Sequence, residues 1–470
     1  LLHRVRLRQA AGLGFLFGLA YVLLLTGWMR VIGVDAWLLI GVAVAGYYAL
    51  LGAGIALLTR LRGWPMWTAC LWVAIEAAMS AWPLGGFPWT RLAWATADTP
   101  FALWLPWIGA TGVSFLLALA GSCLARAALA VRTRGPVVII LPVVVAAIGA
   151  VPLALPPVSL TPEWEQGRRV AIVAAVQGDV PGAGNDLVAV HREVTQNHVK
   201  ATVALAQRVK DGEIDRPDFV LWPENSTAVD PFRDSVTRSG IDRAAAALGA
   251  PVIVGAIVDG SRPHEVLNQG LVWAPNGTVE ERYTKRHPVP FGEYVPFRRQ
   301  LAGLKIGRLD MVPRDMVPGT RTRPLDVAGT RVADLICFDV AFDDSVTAQV
   351  RNGGQLVTVQ TSNASFTGTA QLEQQFAISR LRAMETGRTV VIASTNGISG
   401  VIGPDGHVRT RLEPRTTDVA LARVPLIDRQ TPAVLYGAWL NRALILTGLV
   451  AVLTAAVTAR RRPTTARDVP

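Results

Sequence analysis

The sequence contains few cysteines, and their positions limit what they can do. Only three occur in 470 residues: Cys70, Cys123 and Cys337. Cys70 and Cys123 lie inside long apolar runs, where a thiol is most simply a small apolar side chain packed in a core. Cys337 is therefore the only thiol in the polar part of the chain, which excludes a framework of disulfides there.

Charge is also scarce over long stretches. Hydrophobic residues make up 51% of the chain and charged residues only 17%, and the mean hydropathy is +0.34. Residues 10–155 and 439–459 are almost free of charge, whereas residues 160–430 have the composition of a soluble domain. This division is typical of a membrane protein that carries one soluble domain.

Six apolar runs are long enough to cross a bilayer, at about 10–29, 35–58, 65–82, 102–125, 136–154 and 439–459. Basic residues lie at every second junction, in the sets Arg4/Arg6/Arg8, Arg60/Arg62, Arg126/Arg132/Arg134 and Arg460/Arg461/Arg462. Because basic loops stay on the cytoplasmic side, this alternation predicts that residues 155–435 lie outside. Much of the net charge of +11 belongs to such clusters, and the sequence has no basic helix or aromatic–basic platform that would indicate nucleic-acid binding.

Three features of the apolar region lead to separate predictions. The chain begins with Leu1, and a span follows almost at once without a cleavage site of small residues, so we expect an N-terminally shortened product. Gly14 and Gly18 in GFLFG have a spacing that lets helices pack closely, which is weak evidence of dimerisation. Glu76 lies within a predicted span, where a carboxylate is either functional or paired with a neighbouring helix.

The polar part of the chain predicts an α/β layered domain with buried sheets, because short β-branched runs alternate with helical stretches. Strands are predicted at 170–177, 218–224, 251–258, 269–275, 331–337, 355–362, 389–395 and 400–406. Helices are predicted at 187–210, 233–248, 343–352 and 370–387. The turn pairs in APNGTVEERY and GPDGHVRT indicate two hairpins.

Three chemically useful side chains lie where apolar strands stop. Glu224 ends FVLWPE, Lys285 follows a predicted hairpin, and Cys337 ends VADLIC. A carboxylate can remove the proton of a thiol, a thiolate is a nucleophile, and an ammonium can stabilise a tetrahedral oxyanion. Together they indicate acyl transfer through a thioester, although each residue alone would more simply be a packed cysteine or a solvated charge.

The main competing arrangement is a Cys–His dyad. His287 in TKRHPVP is the nearest candidate, and His264 and His407 lie in predicted loops. His191 and His198 are seven residues apart on one predicted helix, but no third ligand accompanies them. We interpret that pair as part of a solvated helix face and predict no metal site.

Six motifs resemble those of the apolipoprotein N-acyltransferase family, the membrane-bound branch of the nitrilase, or carbon–nitrogen hydrolase, superfamily. They are LWPENST, KRHPVPFGEYVPF, ICFDVAF, TSNASF, RAMETGR and STNGISGVIGPDG. The resemblance covers essentially the whole chain, including PLGGFPWTRLAW between the spans. It implies a polytopic α-helical membrane domain (1–158), an extracytoplasmic nitrilase-like α-β-β-α sandwich (168–428), a last span (436–460) and a cytoplasmic basic tail (461–470).

The resemblance also implies roles for single residues. The glutamate base, the lysine and the cysteine nucleophile of the family fall on Glu224, Lys285 and Cys337. The PFGE glutamate, which is expected to position the lysine, falls on Glu293, and an asparagine of the family falls on Asn268.

The chain departs from the family pattern at three places. Phe338 and Asp339 stand where the family commonly has tyrosine and glutamate. SNASFTG replaces SNDAWFG, and a tryptophan often found after VQG is missing. We expect these differences to affect the substrate loops more than the chemistry.

The implied activity transfers a fatty acyl chain from a membrane phospholipid, through a cysteine thioester, to the N-terminal amine of a diacylglyceryl-modified apolipoprotein. It would take place at the bacterial cytoplasmic membrane, without a cofactor. Two alternatives stay open: a membrane-tethered amidase acting on a soluble amide, and a catalytically inactive membrane scaffold. Residues 291–320 mix basic and apolar side chains, which suits a phospholipid surface better than an amide.

The charge pattern makes a testable prediction about topology. A compartment-sensitive reporter fused within residues 155–435 should behave as extracytoplasmic, because basic junctions hold the other side of the spans in the cytoplasm. The same reporter fused after residue 470 should behave as cytoplasmic and serves as the control. A cytoplasmic signal from the first fusion would contradict both the orientation and the lipoprotein assignment.

Overall fold

The chain divides into two compact units in a computed structural model that describes residues 5–131, 137–155, 169–182, 191–301 and 312–461. The first unit comprises Leu1–Gly27, Asp35–Leu155 and Tyr436–Pro470, and the second comprises Trp28–Val34 and Pro156–Leu435. Several predictions fall outside the described residues: those for Arg4, Arg132, Arg134 and Arg462, the start of the helix at 187–190, residues 302–311 of the segment 291–320, and the tail from 462.

The first unit is helical, and each of the six predicted apolar runs forms a helix. The helices are α1 (Leu7–Leu25), α2 (Val34–Leu58), α3 (Trp64–Ala81), α4 (Leu105–Ala130), α5 (Val137–Ala154) and α11 (Pro432–Arg461). Within the part of the chain that the structure describes, four segments could cross a membrane by length and composition: Leu7–Leu25, Val34–Leu58, Pro100–Ala130 and Pro432–Arg460. A shorter apolar helix covers Val138–Ala154.

Helices α1 and α2 pack closely because both carry glycine at the contact. A Cβ on Gly14 would lie 2.2 Å from the carbonyl oxygen of Tyr48, and one on Gly52 would lie 2.3 Å from that of Ala10. Only glycine leaves room for backbones at this separation. The GFLFG spacing therefore serves a contact within the chain.

Glu76 is buried within the first unit and paired. Its Oε1 accepts hydrogen bonds from the indole N–H of Trp72 and the backbone N–H of Leu92, both at 2.9 Å. Its Oε2 lies 3.9 Å from Nε of Arg91, and Arg91 also donates to the hydroxyl of Thr111 at 2.8 Å. The carboxylate thus fastens the segment after α3 to α3 and α4, which supports the paired interpretation.

The described residues of the second unit form two sheets. The strands of the first sheet are β1 (Val170–Gln177), β2 (Phe219–Leu221), β3 (Val252–Asp259), β4 (Glu265–Trp273), β5 (Val279–Thr284), β6 (Asp315–Met316) and β13 (Asp418–Pro425). Their order across the sheet is β13-β1-β2-β3-β4-β5, and β6 pairs with β4. The second has the order β12-β11-β10-β9-β8-β7; its strands are β7 (Leu325–Val327), β8 (Thr330–Ile336), β9 (Leu356–Thr361), β10 (Val390–Ser394), β11 (Gly400–Ile402) and β12 (Val408–Arg411).

The sheets pack face to face, and helices cover their outer faces. Leu221 and Ile253 of the first sheet share one apolar core with Ile336 and Val391 of the second. Helices α6 (His191–Lys210) and α7 (Ser235–Leu248) pack on the first sheet, and α9 (Asp343–Arg351) and α10 (Gln371–Thr386) pack on the second; a short helix, α8, covers Arg298–Leu301. The predicted α-β-β-α sandwich is confirmed.

The strands that matter for the site are parallel. β1, β2 and β3 run parallel in the first sheet, as do β8, β9 and β10 in the second. Because the carboxyl ends of parallel strands meet at one edge of a sheet, the residues after β2, β8 and β9 gather at such edges.

One prediction about α6 is wrong. We expected His191 and His198 to form a solvated face, but His198 is completely buried. Its ring lies 5.7 Å from that of Trp222, and a Cβ on Gly178 would come within 2.6 Å of it. Burial lowers the pKa of His198 to about 4, so the ring is neutral at pH 7. The helical period shows that His191 and His198 share one face of α6, but it does not show that this face packs on the sheet.

Candidate active site

Cys337 follows β8 directly and has a strained backbone. Its φ is +50°, a conformation that side chains other than glycine rarely adopt and that is often found at functional positions. Burial and the neighbouring charge of Glu224 raise the pKa of the Cys337 thiol to about 12. At neutral pH the group is therefore protonated, so nucleophilic attack requires a base.

Glu224 lies three residues beyond β2 and is buried. Its Oε1 accepts hydrogen bonds from Nζ of Lys285 at 3.0 Å and from Nδ2 of Asn268 at 2.8 Å. Its Oε2 accepts one from the backbone N–H of Ser362 at 3.0 Å. Three donors, from β4 and from the ends of β5 and β9, thus fix the orientation of this carboxylate.

Lys285 follows β5 and is only 1% exposed. Its Nζ lies 2.6 Å from Oε1 of Glu293, in addition to its contact with Glu224. Burial alone would lower the pKa of Lys285, but the charges of Glu224 and Glu293 outweigh burial and raise the pKa well above its ordinary value. The lysine is therefore a fixed positive charge between two carboxyl groups.

Glu293 is held in turn by its own segment. Its Oε2 accepts the backbone N–H of Val289 at 2.8 Å, and its carbonyl oxygen accepts the N–H of Met316 at 2.9 Å. Burial raises the pKa of Glu293. The structure thus gathers Glu224, Lys285 and Glu293 in one hydrogen-bonded cluster.

Asp339 links the cysteine loop to the lysine segment. This buried carboxylate accepts hydrogen bonds from the hydroxyl of Tyr283 at 2.8 Å and from the backbone N–H of His287 at 2.9 Å. Burial raises the pKa of Asp339. Because Tyr283 and His287 flank Lys285, and Asp339 lies two residues after Cys337, one side chain positions both segments.

The side chain of His287 is engaged with other groups. Its ring stacks on Phe342 with centroids 3.7 Å apart, and Nε2 lies 3.0 Å from Oδ1 of Asp344. Phe338 packs edge-on against Phe342, with ring centroids 5.0 Å apart. The other two histidines considered for the dyad, His264 and His407, are exposed. This geometry favours the Glu–Lys–Cys arrangement over a Cys–His dyad.

The structure also places residues at the site whose roles the sequence did not reveal. Thr395 donates from its hydroxyl to the carbonyl oxygen of Glu224 at 3.0 Å. Arg382 is fully buried, donates to the carbonyl oxygen of Val340 at 2.8 Å and lies 2.8 Å from Asp343. Both belong to motifs quoted above, STNGISG and RAMETGR, but their contacts depend on the tertiary structure.

A segment far away in sequence packs on a loop of the site. Trp28–Val34, which links α1 to α2, belongs to the second unit. The indole N–H of Trp28 donates to Oε1 of Gln374 at 2.9 Å, and its ring meets Phe366 edge-on at 5.1 Å. Phe366 lies four residues after Ser362, whose N–H binds the candidate base.

The class of protein follows from comparison with known families. A family model of carbon–nitrogen hydrolases matches residues 172–431, which is more than half of the chain. The second unit, with its sandwich and its strand-end cluster, is thus a carbon–nitrogen hydrolase domain. Among solved structures, an amidase from Nesterenkonia sp. AN1 is 20% identical and covers 58% of this chain and 99% of its own, with a TM-score of 0.40.

The match to the N-terminal part of the chain and the similarity to two relatives identify the family more closely. A model of the apolipoprotein N-acyltransferase N-terminal domain matches residues 1–123. An apolipoprotein N-acyltransferase from Mycolicibacterium smegmatis is 36% identical in an alignment that covers 97% of this chain and 79% of the relative. One from Ralstonia nicotianae is 30% identical in an alignment that covers 97% of this chain and 86% of the relative. The chain belongs to the apolipoprotein N-acyltransferase family.

The position of Asp339 leads to a stability prediction. Asp339→Ala should lower the free energy of unfolding by about 3 kcal/mol, because it leaves the buried Tyr283 hydroxyl and His287 N–H unpaired. Thermal unfolding in detergent measures the change. Asp326→Asn is the control, since this exposed carboxylate accepts a single hydrogen bond from the described residues, that of the Gly329 N–H at 3.2 Å. Equal melting temperatures for the Asp339 variant and wild type would contradict the linking role.

Proposed function

We propose that the protein transfers a fatty acyl chain from a membrane phospholipid, through a thioester on Cys337, to the N-terminal amine of a diacylglyceryl-modified lipoprotein. Membership of the family supports the acyltransferase activity and the acceptor. The single observation that carries the chemistry is the buried cluster of Glu224, Lys285 and Glu293 beside the strand end that bears Cys337.

The first half-reaction forms the thioester. Glu224 removes the proton of the Cys337 thiol as the sulfur attacks the carbonyl carbon of a phospholipid ester. The new C–S bond leaves negative charge on the former carbonyl oxygen, and the ammonium of Lys285 stabilises this charge. When the C–O bond to glycerol breaks, Glu224 returns the proton to the departing oxygen and a lysophospholipid leaves.

The second half-reaction passes the acyl group to the acceptor. The lipoprotein amine attacks the thioester carbon, and Glu224 takes a proton from the nitrogen as the C–N bond forms. The C–S bond then breaks, and the sulfur of Cys337 receives that proton. Because water would hydrolyse the thioester, its exclusion from the site favours transfer to the amine.

The state of the thiol supports the need for Glu224. With a pKa of about 12, only about one Cys337 in 10⁵ would be a thiolate at pH 7. A base that accepts the proton during attack removes this limitation. Lys285 cannot act as that base, because its raised pKa keeps it protonated.

Exposed apolar side chains support a lipid donor over a soluble amide. Phe297 is 67% exposed and Phe291 is 42% exposed, and both lie on the segment that carries Glu293. Two residues after Phe297 comes the exposed basic side chain of Arg299. Aromatic and basic side chains together suit the surface of a phospholipid bilayer, and helices able to cross a membrane adjoin the domain in sequence.

Charge distribution supports an extracytoplasmic location for the second unit. Among the described residues, Arg6 and Arg8 lie at the start of α1, Arg60 and Arg62 follow α2, and Arg460 lies at the end of α11. The positive-inside rule places these ends in the cytoplasm and the α1–α2 link outside. That link, Trp28–Val34, belongs to the same unit as the candidate catalytic residues.

The division of roles between Cys337 and Glu224 can be tested by mass spectrometry after exposure to phospholipid. Wild type should carry an acyl adduct on Cys337, and Cys337→Ala should carry none. Glu224→Gln should form the adduct at least 100-fold more slowly at pH 7, a loss of about the size general-base catalysis supplies. The rate should then rise about tenfold per pH unit as hydroxide supplies the thiolate.

His287→Ala is the matched control for that experiment, because it removes the other candidate base near the site. It should retain most adduct formation. If His287→Ala abolished the adduct while Glu224→Gln did not, the assignment of the base would be wrong.

Lys285 provides a separate prediction. Lys285→Ala should slow adduct formation by about 10²–10³ through loss of oxyanion stabilisation. Lys285→Arg should not restore it, because a planar guanidinium cannot replace a compact ammonium between two carboxyl groups. Lys200→Ala, at an exposed lysine of α6, is the control. An active Lys285→Arg enzyme would show that any positive charge suffices there.

A further inference from the structure

Two buried oxygen atoms approach the same point between the sheets. They are Oδ2 of Asp334 on β8 and Oε1 of Gln360 on β9; both side chains are fully buried, and neither atom accepts a hydrogen bond from the described residues. Both lie against Gly270 of β4, where a Cβ would come within 2.2 Å of Oδ2 and 2.6 Å of Oε1. Two buried acceptors so close together are unfavourable unless one of them carries a proton.

The amide of Gln360 is oriented from its other side. Its Nε2 donates to the carbonyl oxygen of Trp222 at 2.6 Å and to that of Ile253 at 3.5 Å. Turning the amide over would place its oxygen against these two carbonyl oxygens, so Oε1 points toward Asp334. The proton between the two acceptors therefore belongs to the carboxyl group.

The surroundings of Asp334 favour a neutral carboxyl group. The hydroxyl of Thr358 donates to Oδ1 at 2.7 Å, which leaves Oδ2 to carry the proton. Burial raises the pKa of Asp334 to about 7 and the charge of Asp339 adds to this effect, whereas the Thr358 hydroxyl and the charge of Arg321 oppose it. Tyr283 also lies near, and its pKa is raised well above the ordinary value, so its hydroxyl is neutral.

The position of this pair relates it to the candidate catalytic residues. Asp334 lies three residues before Cys337, and Trp222 lies two residues before Glu224. A hydrogen bond from Asp334 to Gln360 completes a chain that runs from β8 through β9 to the end of β2 in the other sheet. The chain thus joins the strand end of the nucleophile to that of the base.

We propose that Asp334 and Gln360 are positioning residues: Asp334 is a neutral acid whose O–H donates to Oε1 of Gln360, and this bond holds the strand ends of Cys337 and Glu224 together. Loss of the proton to solvent sets a carboxylate against Oε1, breaks the chain and loosens the two strand ends. The inference rests on the proposed roles of Cys337 and Glu224.

The first test measures thermal unfolding of the full chain in detergent. Asp334→Asn keeps the shape of the acid and offers an N–H to Oε1 at every pH. Because folding raises the pKa of Asp334 from its ordinary 3.8 to about 7, the stabilisation by the proton is complete below about pH 4 and is lost as the pH rises to about 7. The melting temperature of Asp334→Asn relative to wild type should therefore increase by about 5 °C or more between pH 5 and pH 8.

The second test measures how fast iodoacetamide alkylates Cys337, read from the Cys337 peptide by mass spectrometry below the melting temperature. Asp334→Asn and wild type should react within about twofold of each other at pH 6, and the variant should react about three- to tenfold faster at pH 8.5, the size of effect of one hydrogen bond. In a Glu224→Gln background this advantage should disappear, because the bond acts by positioning the base.

Asp339→Asn is the matched control for the first test. This carboxylate is equally buried, but both of its oxygens accept hydrogen bonds, from the Tyr283 hydroxyl and the His287 N–H. An amide there sets an N–H against a donor, so this variant should melt below wild type at pH 5, where Asp334→Asn should not.

Three results would overturn the proposal. The first is a melting-temperature difference between Asp334→Asn and wild type that does not change with pH. The second is an Asp334→Asn protein that melts below wild type at both pH values, as expected if Asp334 is a carboxylate. The third is an alkylation advantage at pH 8.5 that is absent, or that persists unchanged in the Glu224→Gln background.

These readouts separate the proposal from the proposed function. Unfolding and alkylation need neither phospholipid nor lipoprotein, so they report on the protein alone. If wild type formed no acyl adduct with phospholipid while the Asp334 variants behaved as described, the acyl donor would be wrong and the role of Asp334 and Gln360 would stand.

Discussion

The contact between the ammonium of Lys285 and the carboxyl groups of Glu224 and Glu293 is the interaction on which the rest of the site depends. Removing such charges from water costs several kcal/mol per ion, and only close pairing with complete hydrogen bonding offsets this cost. The partners that complete the bonding are the amide of Asn268 and the backbone N–H groups of Ser362 and Val289. They come from both sheets, so the charged cluster is stable only in the assembled sandwich.

The same requirement explains why loops around the site are tied down by buried polar side chains. Asp339 binds the segment of Lys285 to the loop of Cys337, and Arg382 binds that loop through the carbonyl oxygen of Val340. The φ of +50° at Cys337 costs about 1 kcal/mol or more. Neighbours that fix the loop on both sides keep the cysteine in this conformation.

Much of the fold could be predicted because the central strands are continuous apolar runs. β1, β3, β8, β9 and β10 lie within one or two residues of their predicted bounds, and the residues after these runs include Cys337. β13 was not predicted, because most of its side chains are only partly buried or exposed, and because it pairs with β1 from more than 200 residues away. Pairings of this kind depend on tertiary contacts that no local pattern contains.

Some residues of the candidate site could likewise be predicted from the sequence, and others could not. Glu224, Lys285 and Cys337 could be proposed from chemistry and position, because each ends or follows a recognisable strand. Thr395 and Arg382 could not, because their hydrogen bonds to the carbonyl oxygens of Glu224 and Val340 arise only in the folded domain. His198 shows the same limit, since its helical face was identified but its burial was not.

The link Trp28–Val34 has a consequence for how the protein can be made. Because this link belongs to the second unit, that unit is discontinuous in the chain, and the bond from Trp28 to Gln374 joins residues 346 positions apart. A ribosome completes the link long before it completes the sandwich that the link packs against. A soluble fragment made of the sandwich alone would lack Trp28, and Phe366 and Gln374 would lose their contacts with it.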